Sequence, residues 1–421
     1  MKDSVEHYFK VNEGKFESEI LGIIETDGSL DRLIDTSFQE LKETLCKDCS
    51  DNDYYLKNIC RMKINDKFET LRELESKRDH IFETMEKLKL LKLPEQRSEE
   101  WYEIREGLLT ASSLADALGK GHFTTRDQLL INKTSDTKPD FSIHPIMEWG
   151  VKYEPVATMF YEKMNNLKIV EFGLIPHSEL SVFGASPDGI CDTDSPKEYI
   201  GRMLEIKCPP RRKFTEEVPL HYWMQMQGQL EVCDLEECDF LQVKIEEYNS
   251  FKEYIEASSN EEKEKALPKG LVVSFKIQEL GKQNYSIHYE YSPWDLQGEA
   301  LKQWGKGKAK ETLDIYREKN DVHCSILEEK YWYISRHECT LVRRDRKWWF
   351  SVVPDIIKFW EEVVFYRIHG NEEVQKKIDS RKRKKKPETT TYTVPKLAEG
   401  CHILSSSSSS EEDDEEEEND T

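Results

Sequence analysis

The sequence lacks a long apolar run, a secretory leader and a regular cysteine framework. No stretch of its 421 residues approaches 18 consecutive apolar residues, so no transmembrane helix is expected. The opening residues, MKDSVEHYFKVNEG, contain no apolar core of the kind a signal peptide needs. The ten cysteines are irregularly spaced, unlike those of small secreted domains. We therefore expect an intracellular, reduced protein that does not enter a membrane.

The sequence also lacks an excess of positive charge. Its formal net charge is −22, and nine of its 83 acidic residues lie in the run at 411–420. The other 74 acidic residues still outnumber the 61 Lys and Arg residues. This balance excludes a protein that coats nucleic acid through bulk charge. Any DNA binding must therefore depend on local basic patches and on metal ions.

Composition divides the chain into three parts. Residues 371–421 combine a basic run at 381–386 with a Ser-rich and then acidic tail, for which disorder is expected from Pro387 onward. The basic run is typical of a nuclear import signal or a nucleic-acid-binding arm, and the alternative is a solubilising tail. An import signal would direct the protein to a nucleus.

Residues 1–93 are predicted to be helical, and the last helix is predicted to end before Pro94. One helix face is marked by apolar residues three, four or seven positions apart. These are Phe68, Leu71, Leu74, Ile81, Met85, Leu88 and Leu91. Cys46, Cys49 and Cys60 precede them, but three soft ligands fall short of the four that structural zinc needs, so plain thiols are favoured. We expect this region to pack on the main domain or to bind a partner.

Residues 94–370 are predicted to form the main domain, with a core at 98–246, a charged insertion at 247–268 and further strands and a helix at 270–370. Ser98 is placed to cap a helix, and other helices are expected at 147–163, 222–233 and 348–366. Strands are expected at 167–175, 181–185, 203–206, 240–245, 271–277, 285–291 and 331–342. The order of these elements is helices, then strands, then a helix and further strands. This order predicts an α/β (α+β) fold with a mixed central sheet.

The sharpest chemical feature is an acidic pair with a lysine. Asp188 is predicted at the end of one strand, beside a Pro-Asp-Gly turn. Glu205 and Lys207 are two apart on the next strand, so their side chains share a face. If the two strands pair, the carboxylates of Asp188 and Glu205 and the ammonium group of Lys207 lie close together. Carboxylate oxygens on rigid strands suit Mg²⁺, which activates water and polarises phosphate.

The alternative is an ordinary surface salt bridge, because Asp, Glu and Lys are common residues. The neighbouring sequence favours the site. Leu204 belongs to an apolar strand that Cys208-Pro209-Pro210 ends abruptly. The basic residues that follow are Arg211, Arg212 and Lys213, an arrangement suited to holding phosphates beside metal ions.

Five motifs, in order and at similar spacings, resemble a known family. They are WYEIREGLLTASSLA at 101–115, EWGVKYEP at 148–155, ASPDGI at 185–190, LEIKCP at 204–209 and YWMQMQGQLEV at 222–232. Together they resemble the PD-(D/E)xK nucleases of the YqaJ viral recombinase and lambda-type exonuclease group, most closely the versions from large DNA viruses of eukaryotes. The resemblance implies a restriction-endonuclease-like core in which helices flank the central sheet.

The resemblance also implies roles at the proposed metal site. Asp188, Glu205 and the backbone carbonyl of Ile206 would be metal ligands, and Lys207 would be the catalytic lysine. Glu154 would be a further acid there, although the residues alone favour a helix-surface position. Gln225 would hold the site or the DNA, with Gln227 as the rival match. The implied cofactor is Mg²⁺, with two ions bound and Mn²⁺ able to substitute.

A pocket for a terminal 5′-phosphate is implied as well. Arg105 and Ser112 match the family's pocket, with Ser186 beside them, and a guanidinium fork with hydroxyls is a good phosphate donor set. For the last basic member of the pocket, Arg212 and Lys213 compete, with Arg211 beside them.

We therefore interpret the chain as a metal-dependent 5′→3′ exonuclease on the ends of linear double-stranded DNA, acting in viral recombination, repair or genome processing. Two alternatives stay open: a structure- or end-specific endonuclease on the same core, and a non-catalytic DNA-binding or annealing factor. A single-strand annealing protein is a candidate partner. The residues do not give the oligomeric state, but the resemblance implies a possible homo-oligomer, because phage relatives form toroidal trimers. The expected location is the host nucleus or, without an import signal, a cytoplasmic viral factory.

Overall fold

A computed structural model describes most of the chain. The described residues are 2–26, 28–45, 53–94, 98–135, 145–211, 214, 217–260, 268–282, 284–319 and 321–385. Five features predicted above lie outside these ranges: Cys46, Cys49, Arg212, Lys213 and the tail from Pro387 onward. The elements that build the candidate site all belong to one compact unit, Met1–Val374.

The N-terminal region is helical, as predicted. Its helices are α1 (Lys2–Val11), α2 (Glu13–Glu25), α3 (Asp31–Leu45) and α4 (Asp53–Lys89). They enclose a core of their own in which Ile20, Leu41 and Cys60 are fully buried. Burial raises the pKa of the Cys60 thiol to about 11, so this cysteine stays protonated and unreactive near neutral pH.

The apolar face of α4 packs against both the N-terminal core and the main domain. Phe68 and Leu71 pack against the N-terminal core, whereas Leu74, on the same predicted helix face, is 51% exposed. Further along, Ile81 packs onto Gly201. A Cβ at Gly201 would lie 2.3 Å from the Ile81 Cγ2 atom, and its φ of +69° also favours glycine. Since α4 passes from one core to the other, Leu74 falls between them.

Polar contacts also join α4 to the main domain. Lys89 Nζ lies 2.5 Å from a carboxylate oxygen of Asp192, and His80 Nε2 lies 3.0 Å from Asp234. Together with Ile81, these contacts show that the N-terminal region packs on the main domain, the first of the two expectations stated above.

Short helices and a small sheet precede the main sheet. The helices are α5 (Glu99–Glu106), α6 (Leu114–Ala117), α7 (Arg126–Thr134) and α8 (Pro145–Asn165), with a 3-10 helix at Ala111–Ser113. The Ser98 side chain accepts a hydrogen bond from Trp101 N at 3.2 Å, so the predicted N-cap of α5 is confirmed. Strands β1 (Leu109–Thr110), β3 (Ile175–Pro176) and β4 (Phe183–Ala185) form the small sheet, in which β1 and β4 are parallel.

The main sheet has the order β2-β5-β6-β7-β10-β8-β9 within the described part of the chain. Its strands are β2 (Ile169–Val170), β5 (Gly189–Cys191), β6 (Met203–Lys207), β7 (Glu237–Glu247), β8 (Lys269–Glu279), β9 (Ser286–Tyr291) and β10 (Val322–Arg343). Strands β6 and β7 are parallel, and the other neighbours are antiparallel. A parallel pair needs a crossover, which α9 (Leu220–Cys233) supplies, so α9 lies next to the end of β6.

The single strand predicted at 167–175 is wrong. The chain instead forms β2 in the main sheet and β3 in the small sheet, because residues 171–174 cross from one to the other. Gly173 allows this crossing. A Cβ there would lie 2.4 Å from the carbonyl oxygen of Pro94.

The last part of the chain completes the main sheet. It contains α10 (Phe251–Asn260), α11 (Gly298–Arg317), α12 (Arg346–His369) and α13 (Glu372–Lys385). Within the segment predicted to be a charged insertion, Tyr254 is fully buried against β8. Strand β10 is longer than predicted because it pairs with both β7 and β8. The expected mixed sheet with flanking helices is confirmed. None of the helices in the described ranges is long and apolar enough to span a bilayer.

Candidate active site

Strand pairing brings Asp188 next to Glu205. Strands β5 and β6 are antiparallel with Gly189 opposite Leu204, so Asp188 lies opposite Glu205. Oδ2 of Asp188 accepts a hydrogen bond from the Ile206 backbone N at 2.7 Å. Asp188 lies at the start of β5, whereas the sequence suggested the end of the preceding strand. The backbone contact therefore fixes one carboxylate beside the strand that carries the other.

Glu205 is fully buried, and donors approach both of its carboxylate oxygens. Oε1 accepts hydrogen bonds from the Lys207 ammonium group and from Gln225 Nε2, the latter at 2.7 Å. Oε2 accepts a hydrogen bond from Gln229 Nε2, also at 2.7 Å. A buried carboxylate needs such donors to offset its lost hydration. The contacts therefore hold the Glu205 carboxylate in one fixed orientation.

The helix period of α9 decides which glutamines reach this carboxylate. Gln225 and Gln229 are four residues apart and therefore lie on the same helix face. Gln227 points elsewhere: its Nε2 donates to the Arg343 carbonyl at 2.9 Å, and its Oε1 accepts from Asp345 N at 2.6 Å. The structure thus places Gln225, and not its rival Gln227, beside Glu205. Gln229 was missed, although its spacing from Gln225 is a signal that could have identified it.

Lys207 lies among negative charges. Burial by itself would lower the pKa of its ammonium group, but the charges of Glu205 and Asp188 outweigh this effect and raise the pKa above its usual range. Lys207 therefore remains protonated and acts as a hydrogen-bond donor and a positive charge. Its Nζ also lies 5.0 Å from the centre of the Tyr222 ring, a cation–π contact that the sequence did not suggest.

The charge of Glu154 reaches the same site from α8. Burial raises the pKa of Asp188, and the nearby carboxylates of Glu205 and Glu154 raise it further. The preceding residues anchor this part of α8. Lys152 Nζ donates to Glu247 Oε1 at 2.7 Å, and the Tyr153 hydroxyl donates to the same oxygen at 2.5 Å. Glu154 thus acts electrostatically on Asp188, in contrast to the helix-surface position that the residues alone favoured.

The donor set fits a magnesium ion that keeps much of its hydration. No group of three or more His, Cys, Asp and Glu side chains in the described ranges is clustered tightly enough to bind a metal by itself. Mg²⁺, however, is usually bound through one or two carboxylates while water and substrate phosphate complete its shell. The negative charges that raise the pKa of Asp188 are also those that a divalent cation would neutralise. Asp188 and Glu205 therefore fit such an ion.

A second polar cluster lies at the end of α5. Arg105 Nη2 donates to Ser112 Oγ at 3.1 Å, and Ser112 Oγ lies 3.1 Å from Thr110 Oγ1. The Arg105 guanidinium also lies 4.9 Å from the centre of the Trp101 ring. Burial lowers the pKa of Arg105, so an adjacent anion would stabilise its charge.

Ser186 lies at the same edge of the small sheet as Ser112. Since β1 and β4 are parallel with Thr110 opposite Gly184, Ser112 and Ser186 follow the two strands at the same edge. Within the described part of the chain, the buried Ser186 hydroxyl has no hydrogen-bond partner. Buried polar atoms are usually satisfied, so this hydroxyl is suited to a ligand oxygen.

Two basic residues that the sequence did not suggest support this cluster. Lys133 Nζ donates to the carbonyls of Arg105 and Leu108, at 2.7 and 2.6 Å. Arg367, on α12, donates to the carbonyls of Lys133 and Glu106, at 2.9 and 2.8 Å. These donors fix the backbone from Arg105 to Leu108. Of the basic patch proposed after β6, Arg211 is described and is exposed.

Comparisons with known proteins agree with the motifs. The model of the YqaJ-like viral recombinase domain matches residues 100–236. "Uncharacterized protein R354" of Acanthamoeba polyphaga mimivirus is 30% identical over 301 residues, which are 66% of this chain and 54% of that protein. The chain thus spans about half the length of this viral relative.

Among solved structures, the alkaline exonuclease LHK-Exo from Laribacter hongkongensis is similar at a TM-score of 0.37 and 18% identity. The match covers 66% of this chain and 99% of that one. The structure of LHK-Exo in complex with dAMP matches at the same TM-score and 19% identity. The family resemblance predicted from the motifs is confirmed by the domain match: residues 100–236 match the YqaJ-like viral recombinase domain.

Proposed function

We propose that the chain is a divalent-metal-dependent deoxyribonuclease that hydrolyses phosphodiester bonds with Asp188, Glu205 and Lys207. The observation that carries this proposal is the buried Glu205 carboxylate, held by Lys207 and two glutamines beside Asp188. Burying the Glu205 carboxylate costs desolvation energy, so its presence in the core favours a chemical use. The YqaJ-like viral recombinase domain at residues 100–236 supports the same conclusion.

Asp188, Glu205, the Ile206 carbonyl and Glu154 are the groups that would hold Mg²⁺, as two ions that Mn²⁺ could replace. The metal would supply a polarised phosphate and a bound water of lowered pKa. Gln225 and Gln229 keep the Glu205 carboxylate fixed so that little reorganisation accompanies the reaction. Lys207, which remains protonated, orients the attacking water and offsets negative charge that develops on the phosphate.

We further propose that this nuclease is a 5′→3′ exonuclease that acts on linear double-stranded DNA. Arg105, Ser112 and Ser186 provide a guanidinium and hydroxyls suited to a terminal phosphate. An enzyme that binds the terminal 5′-phosphate begins at an end and degrades that strand. DNA ends are therefore the proposed substrate, with roles in viral recombination, repair or genome processing. A single-strand annealing protein is a proposed partner, and the basic run at 381–386 a proposed nuclear import signal.

The test is digestion of end-labelled linear duplex with Mg²⁺, with and without a 5′-phosphate, beside a covalently closed circle. We expect the phosphorylated linear duplex to be degraded fastest and the circle to stay intact. Cleavage of the circle would instead identify an endonuclease on the same core. Binding of the duplex in EDTA without any loss of DNA when Mg²⁺ is added would contradict nuclease function and favour a DNA-binding factor.

A further inference from the structure

An aromatic surface lies beside the proposed catalytic lysine. The loop between α6 and α7 carries His122 and Phe123, and the Phe123 side chain is 80% exposed. The His122 ring is stacked on His221 of α9, with centroids 5.2 Å apart and planes only 10° from parallel. Phe123 contacts the same His221 ring edge to face, at 5.9 Å.

Ring contacts connect this surface directly to the catalytic centre. The centroids of His221 and Tyr222 are 4.0 Å apart. The centre of the Tyr222 ring is in turn 5.0 Å from Lys207 Nζ. Two successive ring contacts therefore lead from the exposed Phe123 to the ring that touches Lys207. A phosphate held at Lys207 would therefore have aromatic rings beside it, on which the base of its nucleotide could stack.

The backbone of the loop holds these rings in place. Gly119 has a φ of +72°, and the amide of Lys120 donates to the Ala115 carbonyl at 2.8 Å. A Cβ at Gly121 would lie 2.4 Å from the Thr124 carbonyl oxygen, so only glycine fits there. Because the turn is constrained in this way, the aromatic rings are oriented before any ligand arrives, which reduces the entropy lost on binding.

A single exposed aromatic residue is ordinary on a protein surface. Phe123 differs because its loop is constrained and its ring is the outermost of a series that reaches Lys207. The exposed Lys120, three positions before Phe123 in the same loop, adds a positive charge. Aromatic faces interleaved with lysines are how proteins bind single-stranded nucleic acid, since every base has a face to stack and every nucleotide a phosphate.

We propose that Phe123, with His122 and His221 behind it, forms a stacking site for an unpaired nucleobase of the DNA substrate. The proposal deepens the nuclease function and rests on it, because the nucleotide is placed by its phosphate at Lys207. Stacking is tolerant of sequence, so the site takes any base. It favours DNA whose end is single-stranded or frayed over a fully paired end.

The test measures binding of the full-length protein in EDTA, where no hydrolysis occurs. Fluorescence anisotropy compares a short oligothymidylate with an abasic oligonucleotide of equal length, which has the same phosphates but no bases. We expect the wild type to bind the oligothymidylate roughly five- to a hundredfold more tightly. Phe123→Ala should remove most of this preference, whereas Phe123→Trp should keep it. The matched control is Tyr54→Ala, at a tyrosine that is 84% exposed on α4, and it should bind as the wild type does.

A second readout locates the base. An oligonucleotide with 5-iodouracil at its terminal position should form a light-induced crosslink to Phe123 or His122, mapped by mass spectrometry. A crosslink confined to other parts of the chain would overturn the proposal. So would a folded Phe123→Ala variant that keeps the wild-type preference for bases, or a wild type with no preference.

Failure of this inference is distinguishable from failure of the nuclease function. Degradation of linear duplex with Mg²⁺ is measured on the same preparations. A wild type that degrades DNA but does not distinguish bases from abasic sites would refute the stacking site and leave the nuclease in place. A wild type that shows the base preference and the crosslink without degrading DNA would refute the nuclease and leave a base-binding surface.

Discussion

The Nε2 atom of Gln229 donates a hydrogen bond to Oε2 of Glu205 at 2.7 Å, inside a site where both residues are almost fully buried. The same amide nitrogen lies 3.3 Å from the Ser186 carbonyl. Gln229 therefore links the carboxylate on β6 to the segment that leads into Asp188. This link makes Gln229 a positioning residue for both acids.

Replacing Gln229 with leucine should separate positioning from folding. Gln229→Leu leaves a buried carboxylate oxygen without its amide donor, which costs about 1.5–3 kcal/mol of stability. It should also lower the rate of DNA degradation strongly. The measurement is kcat on linear duplex together with urea unfolding.

Gln227→Leu is the matched control, since it removes a buried glutamine from the same helix but affects only Arg343 and Asp345. We expect it to reduce stability while retaining much more activity than Gln229→Leu. Equal losses of kcat in the two variants, at equal stability, would argue against a specific role for Gln229.

Arg105→Ala should change the preference for the end of the substrate. The guanidinium that contacts Ser112 is removed, so a terminal phosphate loses its main positive partner. The ratio of degradation rates for 5′-phosphorylated and 5′-hydroxyl duplexes should fall towards one. A variant that is equally slowed on both ends, with the ratio unchanged, would mean that Arg105 supports the fold but does not recognise phosphate.

The free energy of unfolding should depend on pH through Asp116, whose carboxylate lies next to Gly121 in the loop that carries Phe123. Burial raises the pKa of its carboxyl from 3.8 to about 6. The folded state therefore holds a proton that the unfolded state releases between these values, and stability falls as the pH rises through this window. Asp116→Asn, which cannot ionise, should gain stability over the wild type across the window and keep a constant advantage above it. Urea unfolding at several pH values measures the difference, and a difference independent of pH would contradict the assignment.

Local patterns in the sequence were enough to predict the centre of the site. Period-two spacing placed Glu205 and Lys207 on one face of β6, and the Pro-Asp-Gly segment placed Asp188 beside it. The choice between Gln225 and Gln227 stayed open because all three glutamines of the motif are plausible until one helix face is known to point at β6. The four-residue spacing from Gln225 to Gln229 becomes informative only then.

Other features depend on tertiary contacts that no local pattern encodes. Arg367 reaches the Glu106 carbonyl across 261 positions in the chain, and no spacing predicts that. Leu74 fits the apolar period of α4 but is exposed, because the helix passes between two cores at that point. Strand β10 is long because β7 and β8 both pair with it, which depends on sheet order and not on its own residues.

The most direct test of the central claim is Mg²⁺-dependent degradation of end-labelled linear duplex by Lys207→Ala and Asp188→Asn. Lys168→Ala, at a lysine whose side chain is 72% exposed, is the matched control and should match the wild-type rate. We predict that both site variants remain folded by circular dichroism and lose at least about a hundredfold in rate. Lys207→Ala removes the positive charge proposed to lie at the reacting phosphate, and Asp188→Asn removes a carboxylate proposed to hold the metal. Wild-type degradation by either folded site variant would contradict the account.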